Sequence, residues 1–365
     1  MSDLAPNLPQ ELITDILLRL PVESIGRFRC VSKPWKSYLS NSKFIKSHLK
    51  FHNPEKVILL AADHSPYILT FTKQSRAQIG GFSRQIICPF LQDKNWAKLE
   101  GSCHGLILLV TENRGKFLMN PVTSEVENLP VFDSSLDPLM SFCMHGFGYD
   151  EANDDYKVVT LSYYDTDNEY EPDCAETFVD IYSLKSRIWK RLPCSPYDHA
   201  VPSISPGIFV SGCLHWLASS RRKGYPSVIA AFDLAKEEFE ELPPPIGVDE
   251  DKFVFNELAV LGGCLALFID SYKGHIDVWV MKEYGVRDSW TKIAIDCPED
   301  RRDADSWKPV CFLGDDEIVL VMDCEKLVAH NFRNGGWRDM EFDGVPDSFG
   351  EGVMTFKDSL LPPHS

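Results

Sequence analysis

Apolar positions recur with two different periods along the chain, and the period changes near residue 50. From Leu8 to Leu49 the spacing is helical: Leu12, Ile13, Ile16, Leu17 and Leu20 follow Leu8-Pro9 at intervals of three and four. Pro9 suits a first helical position, where its missing N–H has no partner to lose. Glu11 and Asp15 suit the positive end of the helix dipole, and Pro21 stops the helix. Val22, Ile25 and Phe28 predict a second short helix. Ser32 is expected to cap a third, with Pro34 in its first turn and Trp35, Tyr38 and Leu39 on its apolar side. Phe44, Ile45 and Leu49 predict a fourth. A module of about 42 residues has too small a core to be comfortable alone. Its first helix has more apolar positions than one thin layer can hide, which predicts an exposed patch of the kind that marks a protein–protein site. The alternative is a helical cap folded onto the domain that follows.

After His52-Asn53-Pro54, short β-branched and aromatic runs alternate with Gly, Pro, Asn and Asp turns, an all-β pattern. Residues 56–62 (KVILLAA) read as a buried strand and Tyr67–Phe71 as its hairpin partner. The longest apolar run, Leu258–Ile269, is 12 residues, too short to span a bilayer and typical of a buried core.

A repeat underlies this region. Leu129, Leu192, Leu242, Ile293 and Met340 each end a strand, spaced by 63, 50, 51 and 47 residues. Three positions earlier stand Val126, Trp189, Phe239, Trp290 and Trp337. Nine earlier stand the turn formers Asn120, Ser183, Asp233 and Asn331, with Tyr284 breaking the pattern through a longer loop. A glycine followed by an apolar run precedes several units, at Gly101–Leu109, Gly212–Leu217 and Gly262–Leu267. A period near 50 with about four strands per unit means propeller blades, and the residues after the module suffice for about six. The strand around Gly352–Phe356 is expected to close the ring on the first blade. No Trp-Asp dipeptide occurs, and the Gly-Gly pairs at Gly80, Gly262 and Gly335 lack a kelch-type aromatic follow-up. A pair of β-sandwiches is the alternative fold.

Charge sharpens the division. The 365-residue chain carries a formal −17. Residues 1–50 hold eight Lys/Arg against four Asp/Glu, a net +4, which leaves −21 for the rest. The basic excess, from Arg19 to Lys50, faces an acidic partner or the chain's own acidic domain. This balance argues against a nucleic-acid grip. Eleven cysteines without a CxxC pair read as reduced thiols rather than a disulfide framework. With no secretory-type apolar region at the N-terminus, a soluble protein of the cytoplasm and/or nucleus is expected.

Two resemblances fit these halves. Leu8-Pro9, Ile13, Ile16-Leu17, Leu20-Pro21-Val22, Phe28–Lys33 and Trp35 resemble an F-box in order and spacing. Gly26 is a departure, where that family has an apolar or helix-favouring residue; glycine inside a helix costs roughly 1 kcal/mol relative to alanine. Gly101–Leu106, Asn120-Pro121, Gly146–Asp150 with Asp155–Val159, Val179–Ser183 and Gly212–Leu217 resemble the F-box-associated domain of plant F-box proteins, with S-locus F-box and kelch-like proteins as relatives. The resemblance implies docking on a Skp-type adaptor, and through it a cullin, in a ubiquitin ligase. The β domain would then present a protein client.

Residues that could carry chemistry have plainer readings. Cys103-His104, Cys143-x-His145 and Cys213-x-His215 invite a metal, yet structural zinc wants four ligands in close-spaced sets, and core packing is the better reading. No nucleophile elbow, His-Glu-x-x-His or phosphate loop occurs. Asp150–Asp180 contains eleven Asp/Glu and one lysine. Its Tyr163–Glu171 part is a solvated loop or a recognition loop for a basic client. Arg221-Arg222-Lys223 reads as a solvent-facing basic loop, and Ser203–Gly207 as turn chemistry. Pro243-Pro244-Pro245 stiffens a connector.

The sequence therefore predicts a small all-α module, residues 1–50, ahead of a large all-β propeller, residues 51–365. Leu8, Pro9, Ile13, Ile16, Leu20, Pro21, Val22, Ile25, Phe28, Val31 and Trp35 are expected to form the adaptor patch or to hold the module together. No catalytic, metal or cofactor-binding residue, nucleic acid or membrane is assigned. The rival is a free-standing propeller enzyme or small-ligand binder capped by the helices.

Overall fold

A computed structural model describes residues 8–51, 55–73, 79–86, 97–132, 136, 141–164, 176–199, 205–220, 227–248, 256–270, 274–302, 304–345 and 349–364. The acidic stretch 165–171, Arg221–Lys223, Ser203-Ile204 and the 52–54 boundary lie outside these residues.

Four helices come first: α1 (Gln10–Leu18), α2 (Val22–Phe28), α3 (Lys33–Leu39) and α4 (Ser42–Lys50). Pro9 and Pro21 each stand one place before the first turn rather than in it. Each offers its carbonyl to the first helical N–H groups: Pro9 O to Leu12 and Ile13, and Pro21 O to Ser24 and Ile25. Ser32 caps α3 through Trp35 N, with Pro34 in the first turn. Asn41 caps α4 by accepting from Lys43 N at 2.9 Å.

Six sheets follow among the described residues, antiparallel throughout except for one short strand in the first. The first blade holds β1 (Glu55–Ala61), β2 (Pro66–Lys73) and β3 (Ile79–Gln85). The second holds β4 (Ala97–Cys103), β5 (Leu106–Thr111), β6 (Lys116–Met119) and β7 (Val126–Asn128). The third holds β8 (Ser141–Asp150), β9 (Asp155–Tyr164), β10 (Phe178–Ser183) and β11 (Ile188–Leu192). The fourth holds β12 (Tyr197–Asp198), β13 (Ile208–Val210), β14 (Cys213–Ser220), β15 (Ser227–Asp233) and β16 (Glu238–Leu242). The fifth holds β17 (Glu257–Leu261), β18 (Cys264–Asp270), β19 (His275–Met281) and β20 (Trp290–Asp296). The sixth holds β21 (Trp307–Phe312), β22 (Glu317–Met322), β23 (Lys326–Asn331) and β24 (Gly336–Asp339). The chain then returns to the first blade, where β25 (Phe342–Asp343) lies parallel to β3 and β26 (Phe349–Lys357) pairs antiparallel with β1. The ring thus closes on the predicted strand, and the architecture is a six-bladed propeller.

The repeat maps onto blade anatomy. Its anchors lie on or just after the outermost strands β7, β11, β16, β20 and β24, with Ile293 inside β20 rather than at its end; Gly105, Gly212 and Gly262 stand in the turns that lead into β5, β14 and β18, while Gly101 lies within β4. Leu258–Ile269 forms most of the β17–β18 hairpin, bent at Gly262 and Gly263 with φ of 59° and 78°, the left-handed region glycine tolerates. Tyr284 lies in the longer β19–β20 connection.

Each seam between neighbouring blades carries its own apolar cluster. Leu106, Leu108 and Leu118 of blade two meet Phe147, Val158 and Tyr182 of blade three. Equivalent sets fill the seams between blades one and two, three and four, four and five, five and six, and six and one. A blade covered on both faces explains the near-continuous apolar strands β5 and β9. Close approach also explains the Gly-x-Gly of β8. A Cβ on Gly148 would stand 2.4 Å from Phe209, and one on Gly146 2.9 Å from Leu214.

Candidate functional site

Helix α1 has two apolar stripes. Ile13 and Leu17 turn inward, to a small core with Val22, Ile25, Leu39 and Phe44. Leu8, Leu12 and Ile16, four residues apart, stay open at 49%, 51% and 52% exposure. Phe28 and Val31 are exposed as well, and Phe28 leans edge-on against Trp35 with ring centroids 5.7 Å apart. Of the residues expected at this patch, Leu8, Pro9, Ile16, Pro21, Phe28 and Val31 face solvent, and Leu20 and Trp35 are half-buried. Ile13, Val22 and Ile25 are buried and hold the module together. The expected set omitted Leu12, although its place in the i, i+4, i+8 series with Leu8 and Ile16 was readable.

The opposite side of the module is sealed. Tyr38 OH and Thr14 Oγ1 lie 2.5 Å apart, and His48 Nε2 bonds Leu20 O at 2.7 Å. Helix α4 sends Ile45 and Leu49 into the seam of blades two and three, against Leu106 and Phe147 among others. Burying each such side chain contributes about 1.5–3 kcal/mol. Lys46 pairs with Asp154, donates to Tyr149 OH at 3.0 Å and sits 4.7 Å above that ring. Burial alone would depress the Lys46 ammonium, but its bonds to Asp154 and Tyr149 outweigh burial and raise its pKa. Lys50 approaches Glu151 at 3.8 Å. Part of the module's basic excess therefore serves the chain's own acidic propeller, while Lys33, Lys36 and Lys43 stay exposed.

The chain's end completes this seal. After β26, Leu360 enters the module's core and Leu361 enters the seam of blades two and three. Asn120 Nδ2 donates to Ser359 O at 3.0 Å and Leu361 O at 2.8 Å, while its Oδ1 accepts from Val122 N and Thr123 N. Gly26 lies under this tail, with Leu360 3.9 Å from where its Cβ would stand. Nothing there demands a glycine.

The cysteine–histidine pairs are accounted for separately. His104 Nδ1 lies 2.9 Å from Tyr156 OH, and burial pushes the Cys103 thiol up. His215 bonds Ile208 O and, across to blade five, Tyr284 OH, both at 2.8 Å. His145 is buried, and burial, the largest cause, lowers its pKa. Its Nδ1 stands 3.7 Å from the Glu100 carboxylate, beyond hydrogen-bond range. Among the described residues no three His, Cys, Asp or Glu are placed to hold a metal. The cavity bounded by Met144, Pro206, His215, Trp216 and Leu258 has room for about one water molecule.

Two of these histidines predict an acid weakness. Burial, helped at His104 by the nearby lysines, lowers the pKa of His104 and His215 to about 4. The unfolded chain titrates near 6.5. It therefore takes up protons first, and the stabilisation present above pH 6.5 is lost as pH falls towards 4. Urea midpoints at pH 7.5 and pH 5 are expected to show this drop. His215→Gln, with nothing there to protonate, is expected to lose less.

The comparisons with known proteins agree with this anatomy. Residues 58–360 match the model of the F-box associated beta propeller domain, and residues 6–47 that of the F-box domain. The F-box protein CPR1 of Arabidopsis thaliana is 29% identical over 94% of this chain and 86% of its own length. An F-box/kelch-repeat protein of the same plant is 30% identical over 90% of this chain and 89% of its own. The chain belongs to the F-box proteins that carry an F-box-associated β-propeller.

Proposed function

We propose that this chain is the substrate-recognition subunit of a Skp–cullin–F-box ubiquitin ligase. Residues 1–50 dock on the adaptor and residues 51–365 hold a protein client. The observation that carries this reading is the division of α1, one stripe buried and the other, Leu8–Leu12–Ile16, left open. A cap satisfied by its own propeller would not leave it so. Lys33, Lys36 and Lys43, exposed on the same module, favour an acidic adaptor surface.

Strand direction supports a client side on the face of the propeller away from the helices. The turn between β8 and β9 touches α4 through Asp154, so β9, ten residues long, ends at Tyr164 roughly 30 Å away. The acidic stretch that follows Tyr164 in sequence suits a basic client. In this reading the subunit is non-catalytic and acts by proximity, holding client lysines near a ubiquitin-charged enzyme on another subunit. A relationship to S-locus F-box and kelch-like proteins, as relatives of the F-box-associated type, is part of the proposal. So is residence in the cytoplasm and/or nucleus, where nine described cysteines would stay free thiols. The acidic charge gives nucleic acid no purchase, and no helix among the described residues is long and apolar enough to cross a membrane.

Mixing the full chain with a Skp-type adaptor and a cullin, followed by size exclusion, tests the reading. One co-eluting species of equal stoichiometry is expected. A chain that elutes alone beside an intact adaptor–cullin pair overturns it.

A further inference from the structure

The segment after β26 touches both halves of the molecule. Its first residue, Asp358, pairs with Lys56 at the start of β1, and Lys56 also reaches Glu23 of α2 at 3.5 Å. Ser359 crosses the β4–β5 turn at Gly105, where a Cβ would stand 2.3 Å from the serine Cβ. Leu360 then points into the helical module and Leu361 into the propeller. The two carbonyls flanking Leu360 are held by the Asn120 amide.

Apart from this segment, the module meets the propeller chiefly along α4, with Val122 and the Lys56–Glu23 pair as lesser contacts, and a module held mainly along one line could rock about it. Leu360 adds a second attachment off that line, against α2 beside Gly26. Two attachments that are not collinear fix an angle. We propose that residues 358–362 form a strut that sets the orientation of the helical module on the propeller, with Asn120 and Leu360 as its positioning residues. Resting on the ligase reading, this strut would fix where a bound client stands relative to the adaptor, the variable that proximity catalysis depends on.

The test uses the full chain with fluorophores introduced by unnatural amino acids at exposed Lys36 and Glu238, one on each half. Asn120→Asp keeps the oxygen that caps the Val122–Thr123 turn but replaces the two donors to the tail with an acceptor. A second variant ends at Lys357. The inter-fluorophore distance distribution and the adaptor isotherm are read on all three proteins. The expected result is one narrow distribution in the intact chain and at least a twofold wider one in both variants, with adaptor affinity within about threefold. Unchanged widths overturn the proposal. So does loss of adaptor affinity at unchanged width, which would make the tail only a filler of the module's core. The distance measurement needs no adaptor, so it stands even if the intact chain binds none.

Discussion

Replacing Lys157 with methionine is expected to cost the propeller about 3–5 kcal/mol, the usual penalty for stranding one partner of a buried ion pair. The lysine is 5% exposed. Its ammonium bonds Asp150 Oδ2 at 2.9 Å, Glu237 Oε1 at 3.1 Å and Leu234 O at 2.6 Å. Glu237 is also held by Lys190 at 2.9 Å, so the network ties blade three to blade four. Burial would raise the pKa of Asp150, but its bonds to Asn153 and Lys157 win and lower it. Without Lys157 the buried carboxylate favours its protonated form. The stability gap between variant and parent should then narrow as pH falls from 7 to 5. Denaturant titrations at both pH values measure the gap. A loss below about 1 kcal/mol at pH 7 would show the pair to be replaceable by packing.

Gly105→Ala is expected to cost about 2–5 kcal/mol, for two independent reasons. The residue has φ of +82°, where a side chain costs roughly 1–2 kcal/mol. A Cβ there would also stand 2.3 Å from Ser359 Cβ and 2.6 Å from Lys357 O, overlaps that typically cost 1–3 kcal/mol. The chain escapes most cheaply by lifting its tail off the turn. Protease cleavage after Lys357, which is followed in the parent by the buried Asp358 and Ser359, should therefore rise along with the loss in thermal stability. A fully stable variant with a protected tail would contradict this account.

These residues show how the legibility of the sequence divides. Features set by neighbours in the chain were readable: the helical spacing of Leu8 to Leu20, the Ser32 cap and the blade period. Each depends on hydrogen bonds and burial within a few residues, or on a hairpin repeated at regular intervals. Even Tyr284 announced its longer loop by breaking the pattern. Long-range partners were not readable. Asn120 looked like a turn former, which its Oδ1 is, but its Nδ2 holds carbonyls more than 230 residues away. The Gly-x-Gly of β8 matched a motif, while the reason for it, the approach of Phe209 and Leu214, appears only once the blades pack. Lys157 was counted only as the lone cation of an acidic stretch, because Glu237 belongs to another blade. The adaptor patch fell between these cases: periodicity put both stripes of α1 in one list, and only packing separated Ile13 from Ile16.

The central claim is that the open stripe of α1 is a docking face for a Skp-type adaptor. A binding isotherm of purified adaptor against the intact chain and a Leu12→Asp/Ile16→Asp variant tests it most directly. Neither side chain supports the module's core, so both proteins should share one unfolding midpoint. The account predicts saturable one-to-one binding by the intact chain. It predicts at least 100-fold weaker binding by the variant, about 3 kcal/mol from two central apolar contacts. Equal affinities, or no binding by the intact chain, would contradict it.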